Sequence, residues 1–144
     1  MGRLVALLRD DSDGELEPLP SLGSVPAAVS RMRSAGLQIE VVVDGESRPL
    51  GAAVELAAFR IVQEGLTNAL KHAPNAATSL LVRYHPESVE LEVVSASGSA
   101  TQQPGTGRGL IGIAERVTFV GGRLEVGPQA EGGWRVHALL PVAP

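Results

Sequence analysis

Residues 77–95 read "ATSLLVRYHPESVELEVVS", two alternating runs rich in β-branched residues, separated only by Pro86 and Glu87. Two such runs joined by a two-residue break read as an antiparallel hairpin. A hairpin in the middle of the chain excludes a purely parallel, doubly wound sheet. What flanks it narrows the choice further. Upstream, "SVPAAVSRMRSAG" (24–36) reads as a helix with Ser24 as N-cap, Pro26 in the first turn and Gly36 as the stop. "LQIEVVV" (37–43) reads as a strand followed by the turn-like "DGESRP", and a long helix spans about 53–73, closed by Pro74. Downstream, residues 96–109 form a loop of small residues, and "LIGIAERVTFV" (110–120) is a helix capped by Gly121 and Gly122. "RLEVG" and "WRVHALLP" are strands around the turn "PQAEGG". Hairpins and separate helices in this order predict an α+β two-layer sandwich: a mixed, mostly antiparallel sheet covered on one face by helices.

With 144 residues the chain can bury one real core, and with aromatics at 3% that core must be Val, Leu, Ile and Ala. A net charge of -4 argues against a nucleic-acid surface, which needs clustered Lys and Arg. The absence of cysteine removes disulfides, thiolate nucleophiles and cysteine metal sites. No apolar run approaches the roughly 18 residues that span a bilayer, so no membrane contact by this chain is expected. At the start, "RLVALLR" (3–9) reads as one or two helical turns and "DDSDGELEPLP" as a linker. The expected division is 1–9 as the end of a preceding helix, 10–20 as linker, and 21–144 as one domain.

The long helix carries the first chemical signal. At about 100° per residue, Arg60, Asn68 and Lys71 all fall within about 40° of Glu64. Phe59, Val62, Leu66, Ala69, Leu70 and Ala73 gather opposite, so the helix packs on that other face. A solvated stripe is the competing explanation, with Glu64 and Arg60 spaced to pair. Asn68 resists it, because mid-helix asparagine usually needs a reason. A carboxamide oxygen suits a hard cation such as Mg²⁺, a carboxylate one turn away can accept a proton or orient a water, and Lys71 can face phosphate.

The second signal is "PGTGRGL" (104–110). Gly105, Gly107 and Gly109 leave backbone N–H groups open to phosphate oxygens, the loop feeds a helix N-terminus, and Thr106 or Arg108 can add a contact. It is neither a Walker loop nor a dinucleotide fingerprint.

Together, "ELAAFRIVQEGLTNALKHA", the hairpin and "GTGRGLIGIAERVTFVGGRLEVGPQAEGGWRVHALLP" resemble the catalytic ATP-binding domain of bacterial sensor histidine kinases. The narrower resemblance is to the actinobacterial subfamily that works with LuxR-type response regulators. The likeness covers about residues 20–142. It implies the Bergerat fold shared with DNA gyrase, and ATP and Mg²⁺ as cofactors. The implied reaction moves the γ-phosphoryl group to a histidine of a dimerisation domain outside this chain, with "RLVALLR" as the end of that domain. By the resemblance Asn68 is the N-box ligand of Mg²⁺, and Glu64 is the N-box acid that acts as base or polarises the attacking histidine. Lys71 and His72 stand beside the phosphates. Gly105, Thr106, Gly107, Arg108, Gly109 and Leu110 join the ATP lid to the following helix, and residues 96–109 are predicted to be mobile without nucleotide. A cytoplasmic location follows, with a parent kinase that can be membrane-anchored.

One position departs from the family. Where its members carry the Asp of an Asp-Gly or Asp-x-Gly that accepts from the adenine amine, this chain reads "VVSASGSA", with Ser97 before Gly98. Ser95 or Ser97 offers only a neutral bond there, about 1 kcal/mol against roughly 1.5–3 for a charge-assisted one. ATP binding weakened several-fold to tens-fold is the expected result. The departure keeps open a non-catalytic module of the same fold with little or no ATP binding, and, less strongly, an anti-sigma serine kinase. None of the three histidines has a phosphoacceptor context. His85 reads as a surface turn residue and His137 as solvent-facing. His72 is divided between a helix-end dipole contact and a phosphate-side role. Trp134 reads as packing.

Overall fold

The computed structural model describes residues 19–72, 77–96, 108–130 and 132–142. A 3₁₀ turn (Leu22–Ser24) leads into α1 (Val25–Ser34), β1 (Gln38–Asp44), α2 (Ala52–His72), β2 (Ala77–His85) and β3 (Ser88–Ser95). Then come α3 (Arg108–Phe119), β4 (Arg123–Pro128) and β5 (Trp134–Pro141). The five strands form one sheet in the order β1-β2-β3-β5-β4. β2–β3, β3–β5 and β4–β5 are antiparallel, and β1–β2 is the single parallel pair. The hairpin turns on Pro86 and Glu87, with His85 opposite Ser88, as the two-residue break requires. The mixed, mostly antiparallel two-layer sandwich expected from the pattern is the one observed.

Strand alternation sorts the two faces. Thr78, Leu80 and Val82 of β2, Val89, Leu91, Val93 and Ser95 of β3, and Val136, Ala138 and Leu140 of β5 are buried beneath the helices. α2 lies across the middle, touching β2, β3 and β5, with α1 toward β1 and α3 toward β4. Phe59, Val62, Leu66 and Ala69 are buried, as the wheel requires, while Leu70 is half-buried and Ala73 and Pro74 lie outside the described residues. Gly65 brings α2 down onto the sheet: a Cβ there would meet Val93 at 2.9 Å. β1 is an edge strand, and Val42 and Val43 remain half exposed on it.

Ser24 does not cap α1 as the sequence suggested. The 3₁₀ turn before α1 places Ser24 in helical backbone, and its Oγ instead accepts from Ser21 N at 3.1 Å. Gly36 stops α1 as expected, at φ 109°, with Leu37 N donating to Met32 O. Gly121 and Gly122 cap α3, Gly122 N donating to Val117 O at 2.8 Å. The N-terminal segments assigned to a preceding helix and most of the linker lie outside the described residues.

Candidate functional site

Because β1 and β2 run parallel, α2, which joins them, must run back the other way and so parallel to β3. Gly65 sits over Val93, so Asn68, about 4.5 Å further along the helix axis, stands toward the end of the sheet where β3 finishes. At that end Thr78, Ser95 and Trp134 lie side by side in register across β2, β3 and β5. Among the described residues, three buried side-chain polar atoms have no hydrogen-bond partner: Asn68 Nδ2, Thr78 Oγ1 and Trp134 Nε1. All three belong to this one end. Buried polar groups are nearly always satisfied, so a cluster of orphans marks a place where something else completes them.

The N-terminus of α3 arrives at the same place. A Cβ on Gly109 would come within 2.1 Å of the Glu64 carboxyl carbon, so the carboxylate rests directly against the Gly109 backbone. That contact puts an acid from the middle of α2 at the positive end of α3, a favourable pairing. The site therefore holds a carboxylate, a buried carboxamide one turn away, and a helix N-terminus suited to anions.

No family model matches the chain. It is 32% identical over 138 residues to the signal transduction histidine-protein kinase/phosphatase UhpB of Salmonella typhimurium, an alignment taking in 89% of this chain and 27% of that one. The mycobacterial sensor histidine kinase MprB superposes with a TM-score of 0.63 at 22% identity, over 85% of this chain and 94% of that chain. The full-length ShkA structure in complex with AMPPNP superposes with a TM-score of 0.66 at 18% identity, over 84% of this chain and 30% of that one. The chain matches the catalytic-domain portion of sensor histidine kinases. It spans between 21% and 28% of the length of the curated relatives it matches, the portion that carries a kinase's catalytic-domain fold.

Set against that family, the sequence-derived site residues fall into three groups. Glu64, Asn68 and Gly109 are brought together. Lys71 is exposed at the end of α2, His72 half-buried beside it, and Leu110 half-buried against the core. Ser97, Gly98, Gly105, Thr106 and Gly107 lie outside the described residues, and of Arg108 only its place as the first residue of α3 is described. The polar line on α2 is not a solvated stripe, since Asn68 is only 4% exposed. Nor does Arg60 pair with Glu64 as the spacing allowed; its Nη1 donates to Gln63 Oε1 at 2.9 Å.

Thr78 and Trp134 went unread as site residues. The signal for Thr78 was present: a threonine in the same alternating register as Leu80 and Val82 puts a hydroxyl on a buried face. Trp134 does pack against the core, as expected, but its indole N–H is left over.

The helix-free face carries a separate set of charges. Glu90 accepts from His137 Nε2 at 2.7 Å and His85 Nε2 at 2.9 Å, and these bonds, with Arg83 nearby, lower its pKa to about 2. His85 and His137 are thus partly buried carboxylate partners rather than free surface residues. Arg135 donates to Glu92, which holds the guanidinium still more firmly protonated. These groups stand on the far side of the sheet from Asn68 and take no part in its site.

Proposed function

We propose that this chain binds ATP with Mg²⁺ and passes the γ-phosphoryl group to a histidine of a dimerisation domain outside residues 21–144. The observation that carries this is the buried carboxamide of Asn68, its Nδ2 without a partner, one turn from a carboxylate docked on a helix N-terminus. The binding of AMPPNP by ShkA and the kinase names of the relatives support it. Among the described residues no three His, Asp or Glu side chains could hold an ion by themselves. Asn68 fits a Mg²⁺ that takes its remaining ligands from phosphate oxygens and water.

Bound Mg²⁺–ATP supplies the transferable group and neutralises its charge; positioning falls to the chain. Asn68 would contribute one neutral oxygen to the metal. The first amides of α3 would meet the phosphates, with Lys71 and His72 beside them. Glu64 would hold the incoming imidazole, accepting its N–H proton and aligning the opposite nitrogen for attack on the γ-phosphorus, with ADP as the leaving group. Residues 1–9 are read as the end of the dimerisation domain, 10–20 as the linker, and a LuxR-type response regulator as the partner of the full kinase. A non-catalytic module of the same fold is the competing reading, favoured by the absence of any carboxylate in the Thr78–Ser95–Trp134 row.

Calorimetric titration of ATP with and without Mg²⁺, beside Asn68→Ala, tests the proposal. Saturable binding that needs Mg²⁺ and is lost in the variant is expected. No binding at millimolar ATP, with the dimerisation domain supplied, would replace it with the non-catalytic module.

A further inference from the structure

Purine nucleotides differ at the 6-position: adenine carries an amine, which donates, while guanine and hypoxanthine carry a carbonyl, which accepts. A carboxylate can only accept, so a carboxylate in a base site selects the amine. A hydroxyl serves either, and an indole N–H only donates. The helix-facing row at the end of the sheet consists of Thr78, Ser95 and Trp134. Thr78 is 2% exposed with its hydroxyl unpartnered, Ser95 is 5% exposed, and Trp134 Nε1 has no partner. Adjacent strands stand about 4.8 Å apart, so the outer members of the row are about 10 Å apart. No member of the row is anionic.

We propose that this row reads the purine ring, and that with only neutral groups it accepts 6-oxo purines beside 6-amino ones. The site is then a purine-nucleotide site and not a strict adenine site. Thr78 Oγ1 accepts from an amine or donates to a carbonyl by rotating its hydrogen, and Trp134 Nε1 donates to a ring nitrogen or to O6. This rests on the Mg²⁺–nucleotide reading of Glu64 and Asn68.

The test titrates the whole chain with the Mg²⁺ complexes of ATP, ITP, GTP and CTP. Affinities for ATP, ITP and GTP within about tenfold of one another, with CTP weaker, are expected. ATP binding at least 100-fold tighter than both ITP and GTP would overturn the inference while leaving the nucleotide site standing. Binding of none of the four would remove the nucleotide site itself. Two variants locate the cause. Ser95→Asp places an acceptor-only group in the row and should cut ITP and GTP affinity at least tenfold while sparing ATP; equal losses for all three would count against it. Thr78→Val keeps the shape and removes the orphan hydroxyl, so the ligand-free melting temperature should rise while purine affinity falls several-fold. A lower melting temperature with unchanged affinity would make the hydroxyl structural and overturn its assigned part.

Discussion

Gly109 shows how one hydrogen atom in place of a methyl group can set where a carboxylate lies. Its Cα is the surface on which the Glu64 carboxylate rests, and a Cβ would occupy the carboxylate's own position. Gly109→Ala is therefore expected to push Glu64 aside, and a displacement of about 1 Å can cost about 100-fold in rate. Transfer to a supplied histidine domain should fall by about that factor while Mg²⁺–ATP affinity changes far less, measured by radiolabelled transfer and calorimetry. The sequence marked both residues but for separate reasons, a base on one helix and a phosphate-approach glycine on the other. A contact between residues 45 positions apart leaves no trace in local pattern. The same holds for Glu90, whose two imidazole partners come from β2 and β5 and meet it only through strand register. Its pKa stands at about 2 against an ordinary 4.5. The stabilisation from this depressed carboxylate is thus full above about pH 4.5 and is lost as pH falls toward 2. Glu90→Gln should flatten that acid limb, read from denaturation midpoints against pH.

α2 is the element whose reading was most complete, and the reason is its length. Over 21 residues a period of about 3.6 repeats often enough to separate a packed face from a polar one. What periodicity could not give was depth. It put Asn68 on the polar line, whereas the tertiary fold buries it. Nor could it show why a glycine sits mid-helix at position 65, where alanine would favour the helix by about 1 kcal/mol. Contact with Val93 answers that. Gly65→Ala is expected to destabilise by up to about 2 kcal/mol net, because forcing α2 off β3 costs about 1–3 kcal/mol and offsets the propensity gain of about 1 kcal/mol. Thermal or urea unfolding checks the sign, which a helix-propensity argument alone would reverse. The caps divide along the same line. Gly36 and Gly121 were legible because a left-handed residue is a local requirement, while Ser24 was misread because the 3₁₀ turn that contains it depends on Ser21 and on Leu22 N donating to the Glu55 carboxylate.

For the whole molecule, hairpins were legible and sheet order was not. β2–β3 announces itself through a two-residue turn, but the parallel β1–β2 pair and the central β3–β5 pair join segments far apart in the chain. The site inherits that limit. The row of Thr78, Ser95 and Trp134 exists only because of the order β2-β3-β5. The loop and helix motifs, by contrast, survive as short strings.

The docked carboxylate of Glu64 has a further consequence for the molecule's energetics. On the proposed reading, the end of α3 that should greet phosphate already holds an anion of the protein's own. Phosphate then arrives beside a negative charge already in place, and part of the affinity is spent on holding the two together. Glu64→Gln keeps the shape and removes the charge, so it is expected to bind Mg²⁺–ATP several-fold more tightly while transferring at least 100-fold less. Weaker binding in the calorimeter would show that no such repulsion acts. If it does act, the acid that serves transfer is also a standing charge against the nucleotide.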